Sequence, residues 1–271
     1  FVLLGISVVL VAVIVAGGFI NARHPRITKL DIHIPKNVSG MDRMEAVVMS
    51  DIHLGTLVGN GFLKRVISRV QELSPDIILL PGDILDEDLE PVLRQNTGEI
   101  LNQLRAPLGV YGIMGNHEHI GGAENAYEYL SNHGIKMLRD TVLKINDVIY
   151  LSGREDRDKS RFSGKPRLSL EDLLRDVNFD APVILMDHQP FYLEQAAEMG
   201  VDLQLSGHTH HGQLWPLNFI TKAMYTLSRG YQKIGDMHAY VSNGLGTWGP
   251  PVRTGNRPEI LYLVIHFNEV P

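Results

Sequence analysis

The sequence predicts an α/β fold: two facing sheets with helices outside, set behind one membrane-crossing helix. Three observations carry this. Short apolar runs alternate with helix-period stretches through the first half of the chain. The second half is richer in strand-like runs, at 147–152, 183–187, 202–205, 238–243 and 259–267. The first twenty residues carry no charge.

That opening run, residues 1–20, is rich in Val, Leu and Ile. Twenty helical residues rise about 30 Å, the thickness of a bilayer's hydrocarbon core. A cleaved signal peptide is the alternative, but its apolar core is usually about 7–15 residues, and no small-residue cleavage site follows here. A buried core helix would show a polar stripe or shelter, and the run has no polar face. Arg23, Arg26 and Lys29 follow it, which places the rest of the chain on the cytoplasmic side by the positive-inside tendency. The chain opens on Phe rather than Met, leaving room for further spans upstream.

Residues 21–42 read as a polar linker. Its alternating stretch 27–34 suggests an edge strand docking onto the domain that fills 43–271. In that domain the run 45–49 leads into Asp51, and 77–80 into Gly82-Asp83. Run 110–114 leads into Gly115-Asn116-His117, and 183–186 into Asp187-His188. Helices are expected over 60–73, 89–105, 169–176 and 190–199. In sheets of this kind ligands gather at the carboxyl ends of strands, so these polar residues should converge.

Composition narrows the function. A net charge of −6 without any basic run of five residues counts against duplex nucleic acid as the main partner. With no cysteine in 271 residues, disulfides and thiolate-bound zinc are excluded.

The metal-capable residues occur in order as Asp51-x-His53, Gly82-Asp83, Gly115-Asn116-His117-Glu118, His188 and Gly207-His208-Thr209-His210. Carboxylate and imidazole together suit Mn, Fe or Zn. Each fragment alone is most often a turn or a solvated strand end. Five of them, each at or near the end of an apolar run, point to a metal centre. The glycines before Asp83, Asn116 and His208 are expected to let the chain turn sharply.

In these five blocks the chain resembles the calcineurin-like metallophosphoesterase superfamily, whose pattern is D-x-H, G-D, G-N-H-[D/E], H and G-H-x-H. The hydrophobic N-terminus, Gly212-Gln213 and the tail from Gly244 to Arg253, followed by Arg257-Pro258-Glu259-Ile260, look like its bacterial membrane-associated branch. The resemblance implies a four-layer α/β/β/α sandwich of two mixed sheets and two divalent metal ions. It places Asp51, His53 and His210 on one ion and Asn116, His188 and His208 on the other, with Asp83 bridging. His117 takes the part of the catalytic histidine, with Glu118 orienting or polarising it. Two such cations share a bridging water, lower its pKa toward about 7 and neutralise charge in an in-line displacement.

A tethered catalytic domain brings a lipid-borne phosphodiester or pyrophosphate within reach, while the motifs leave monoester against diester preference open. The stretch from Gly82 to Asp86 lacks the continuation found in Ser/Thr protein phosphatases, and Asp86 stands where purple acid phosphatases carry a tyrosine. His119 and His211 are read as neighbours of the site rather than ligands. Residues 217–227 place Leu217, Ile220, Met224 and Leu227 on one helical face. An ordinary core helix explains this, and the sharper reading is a cap that takes an acyl chain or touches the bilayer. A lipid-linked substrate such as UDP-diacylglucosamine, reached from a membrane anchor, fits the sharper reading. Arg154 could clamp a phosphate, although a surface ion pair explains it too; Arg253 and Arg257 share that ambiguity. A silent membrane sensor on the same fold, or a nuclease, are the competing functions. Oligomeric state is not legible.

Overall fold

The computed structural model describes residues 1–268; the last three residues of the 43–271 domain lie outside them. In chain order the strands are β1 (Arg26–Ile34), β2 (Arg43–Val48), β3 (Ile77–Pro81), β4 (Val110–Ile113), β5 (Lys136–Leu138) and β6 (Thr141–Ile145). They continue as β7 (Ile149–Gly153), β8 (Val183–Met186), β9 (Leu203–Ser206), β10 (Gly230–Ile234), β11 (Met237–Val241) and β12 (Glu259–Phe267). One sheet runs β1-β12-β2-β3-β4-β5 and the other β10-β11-β9-β8-β7-β6. Both are mixed: β12 is antiparallel to β2, and β6 and β10 are antiparallel to their neighbours.

The central runs are apolar throughout because both of their faces are covered. Along β3, Ile77 and Leu79 meet the other sheet, whereas Ile78 and Leu80 meet helices. Along β8, Ile184 and Met186 point between the sheets, and Val183 and Leu185 outward. Helix Asn60–Glu72 lays Leu63, Val66, Ile67 and Val70 on the first sheet at the three- and four-residue spacing of one helical face. Leu170, Leu173, Leu193 and Ala196 cover the second sheet from the opposite side. The result is the expected four-layer sandwich.

Three strands escaped the sequence reading: β5, β6 and β10. All three lie at sheet edges, where one face meets solvent and no continuous apolar run is needed. The helix expected over 89–105 is two short ones, Glu90–Arg94 and Thr97–Leu101, broken at Asn96, whose φ is +51°.

The N-terminal helix spans Val2–Ala22 and is long and apolar enough to cross a membrane. Of its residues only Gly18 and Ala22 are buried. Gly18 sits so close to the loop around Arg253 that a Cβ would fall 2.5 Å from Val252 Cγ1. Asn21 Nδ2 donates to the carbonyl oxygens of Arg253 (2.8 Å) and Asn256 (2.7 Å). The following β1 is an edge strand, as expected, parallel to β12.

Candidate metal centre

All seven predicted ligands lie just beyond the carboxyl ends of strands. Asp51 and His53 follow β2, Asp83 follows β3, and Asn116 follows β4; His188 follows β8, and His208 and His210 follow β9. Two sheets therefore contribute to one cluster. Its donor atoms form overlapping sets within 4.8 Å: Asp51, His53 and His210; His53, Asp83 and His117; Asp83, His188 and His208. Asp83 belongs to two of them, with Oδ2 at 3.9 Å from His53 Nε2 and 3.1 Å from His188 Nε2. Asn116 Oδ1 lies 2.8 Å from His208 Nδ1.

The backbone is strained at these positions. Asp51, His53, Asp83, His208 and His210 all have positive φ, between 44° and 69°, a region costly for residues with a Cβ and concentrated at functional sites. The three glycines divide on this point. Gly82 has φ +88°, the sharp turn expected. Gly115 and Gly207 are needed for space instead: a Cβ on either would lie 2.1 Å from an oxygen of Asp83 or Asp51.

Buried polar atoms without partners test whether a cation fits. Asp51 Oδ2 and His188 Nε2 are buried and make no hydrogen bond, and His53 Nε2 faces His210 Nε2 at 2.9 Å, an expensive arrangement unless something else binds them. His188 Nδ1 lies 2.8 Å from the Pro81 carbonyl, which holds the proton there and turns Nε2 toward Asp83. Burial and the charge on His188 push His208 down to about 3. Burial, then Arg253, holds His210 well below the usual range. Both are neutral imidazoles, the form that ligates metals. Burial raises Asp51. Against the same burial penalty the facing His188 holds Asp83 below the carboxylate range, and is itself driven up. Two adjacent buried carboxylates demand positive charge, and the oxygen and nitrogen donors suit divalent ions.

His117 is only partly buried and lines the cavity beside the cluster. Its Nδ1 lies 3.2 Å from Asp86 Oδ1. Burial opposes a charge on the ring, but the bond to Asp86 and the nearby Asp83 push it up to about 9. Asp86 was not singled out as a partner, and only its place three residues after Asp83 could have suggested it. Glu118 makes no hydrogen bond or ion pair with the His117 ring, although its charge adds to the rise of His117. Its carboxylate accepts from the backbone N–H groups of Gly115 (2.7 Å), Leu85 (2.8 Å) and Asp83 (3.2 Å). Glu118 thus ties the loops of Asp83 and Asn116 together, because buried N–H groups there need an acceptor.

Other expectations change as well. Arg154 does not line the cavity; it pairs with the buried Asp187 at 3.1 Å, which Arg167 also meets at 2.8 Å. A buried carboxylate beside His188 claims both cations. Arg253 is fully buried and donates to the carbonyls of Asn243 and Gly246 and to His210 Nδ1 (2.9 Å). Arg257 stays exposed. His119 meets Glu155, and His211 meets Ser228, away from the ligand sets. Helix Asn218–Met224 buries none of its residues, so it is not a core helix.

The Calcineurin-like phosphoesterase family model matches residues 44–212. The chain belongs to that family. It is 32% identical to a Danio rerio protein named "Transmembrane protein with metallophosphoesterase domain" over 96% of its own length and 62% of the relative's. The chain thus spans less than two thirds of that relative. It is 29% identical to an uncharacterised metallophosphoesterase of Aquifex aeolicus, covering 89% of this chain and 91% of the relative. A putative 5'-nucleotidase from Staphylococcus aureus superposes with a TM-score of 0.52 at 12% identity, over 81% of this chain and 54% of that one, and shares the fold. Family and donor set together support a metal-dependent phosphoesterase.

Proposed function

We propose that the chain is a membrane-anchored hydrolase of phosphodiester or pyrophosphate bonds that uses two divalent ions, Mn, Zn or Fe, on a lipid-linked substrate. The reading rests first on the ligand cluster and its unpartnered buried atoms. Asp51, His53 and His210 would hold one ion, and Asn116, His188 and His208 the other, with Asp83 shared. Such ions supply Lewis acidity and an activated water at neutral pH.

The chain's own residues supply the rest. His117 lines the cavity while Asp86 holds its Nδ1, so its other ring nitrogen can deliver a proton to the leaving oxygen. Glu118 keeps the loops of Asp83 and Asn116 in register. Arg253 fixes the ring of His210.

The cavity supports the lipid-linked half of the reading. It holds about 530 Å³ and runs from Asn116, His117 and His208 to an apolar wall of Leu214, Leu217, Ile220, Met224 and Trp248. Trp215 (65%), Phe219 (60%), Met224 (58%) and Trp248 (54%) are exposed beside it. Trp215 N donates to Thr254 Oγ1, and Thr254 abuts Gly18 of the N-terminal helix. Apolar surface and membrane helix thus share one corner, and exposed tryptophans suit a bilayer interface. The basic flank Arg23, Arg26 and Lys29 favours the cytoplasmic face. Changing Ile220 and Met224 to Asp should cut hydrolysis of a vesicle-borne diester far more than hydrolysis of bis-p-nitrophenyl phosphate. Equal losses would remove the lipid argument.

A further inference from the structure

A second cavity, about 280 Å³, opens where the N-terminal helix meets the domain. Four arginines line it, Arg23, Arg65, Arg69 and Arg257, together with His24 and Phe62. They come from three separate places in the chain: the end of the first helix, one face of helix Asn60–Glu72, and the turn before β12. The fold, rather than a basic run, gathers them.

Each guanidinium donates to one backbone carbonyl, and Arg23 also stacks on the Phe19 ring while Arg65 lies over Phe62. Arg23 Nη1 donates to Phe19 O (3.3 Å), Arg65 Nη1 to Gly61 O (2.8 Å), Arg69 Nη1 to Pro25 O (2.5 Å) and Arg257 Nε to His24 O (3.0 Å). A guanidinium carries five donors, so most remain free for a ligand. None of the four forms an ion pair within the described residues, whereas nearby Arg26 pairs with Glu259. Like charges brought together without a counter-charge repel, and an anion relieves that cost. Arg23 and Arg69 are half-buried at this cavity, and Arg65 and Arg257 are exposed at its mouth.

Height along the first helix indicates the anion. Arg23 caps the segment Val2–Ala22, so with that helix in a bilayer the pocket lies at the level of the headgroups, where basic clusters meet anionic lipid. We propose that Arg23, Arg65, Arg69 and Arg257 form a binding site for the phosphate of an anionic lipid headgroup, separate from the metal centre. This rests on the first helix lying in a membrane and not on the reaction proposed above, so either can fail alone.

The test is calorimetric titration of the full chain in nonionic micelles, on a His117→Ala background so that no ligand is turned over. Dihexanoyl phosphatidylglycerol, dihexanoyl phosphatidylcholine and inorganic phosphate are titrated in turn. Each arginine near such a headgroup is worth about fivefold. Arg65→Gln with Arg257→Gln should therefore weaken the phosphatidylglycerol about 25-fold, while Arg65→Lys keeps most of the affinity and thermal melting confirms folding. Equal affinity in the double variant overturns the site. Phosphatidylcholine binding as tightly as phosphatidylglycerol overturns its anion selectivity, and phosphate binding as tightly overturns the lipid assignment in favour of a free anion.

Discussion

Asp86 Oδ1 lies 3.2 Å from His117 Nδ1 and 3.8 Å from His53 Nδ1, so one carboxylate faces both the cavity-lining histidine and a candidate ligand. Only the His117 contact has hydrogen-bond geometry. Asp86→Asn should therefore lower kcat on a soluble diester by about 100-fold, the low end of general acid–base effects. Metal content measured on the purified chain should change little. A variant that loses metal as well as turnover would mean that Asp86 acts mainly through His53.

Glu118 offers a sharper contrast. Removing its carboxylate strands the N–H groups of Asp83, Leu85 and Gly115, each at a cost of about 1–3 kcal/mol. Glu118→Ala should lower Tm and metal affinity together, because the loops of Asp83 and Asn116 lose their common acceptor. A normal Tm with reduced kcat would mean that Glu118 acts mainly by polarising His117.

Arg253 occupies a position that sequence spacing does not reveal. It donates to two carbonyls and to His210, while its own carbonyl accepts from Asn21 and its N–H donates to Gly18 O. Arg253→Lys cannot reproduce this fan of bonds. Metal affinity by competition with a chelating dye should fall, because the loop packed against the His210 ring loses its ties to Asn243 and Gly246. Unchanged affinity would reduce Arg253 to a packing role.

Away from the centre, Glu155 is buried against Arg139 and His119. Burial opposes its charge, yet the bonds from His119 and Arg139 hold it at about 2, below its ordinary 4.5. A depressed carboxylate stabilises the fold fully above its unfolded pKa and loses that contribution as pH falls toward the folded value. Glu155→Gln should cost about 3 kcal/mol at pH 7, with the gap to wild type narrowing from pH 4.5 downward. A constant gap across that window would contradict the pairing.

Much of this was legible in the chain because of where strands end. Runs such as Ile77–Pro81 must be apolar on both faces, which makes them visible, and the residues beyond them are forced to one rim. Asp51, Asp83 and His188 were found that way. Edge strands such as β10 carry no such constraint and left no trace. The roles of Glu118, Asp86 and Arg253 depend on contacts across tens of residues or on loop geometry, and periodicity carries neither. The helix Asn218–Met224 misled for a different reason: its apolar face has the spacing of a core helix, yet none of its own residues is buried, whereas Leu227 beyond its end does reach the core.

The account stands most directly on metal content measured together with activity. The full chain is stripped with chelator and reloaded separately with Mn, Zn, Fe or Mg. It is then assayed on bis-p-nitrophenyl phosphate beside Asp83→Ala and His117→Ala. Two ions per chain and restored diester cleavage are expected, with Asp83→Ala losing metal and turnover and His117→Ala losing turnover alone. A chain that binds no metal under any of these conditions would contradict the central claim.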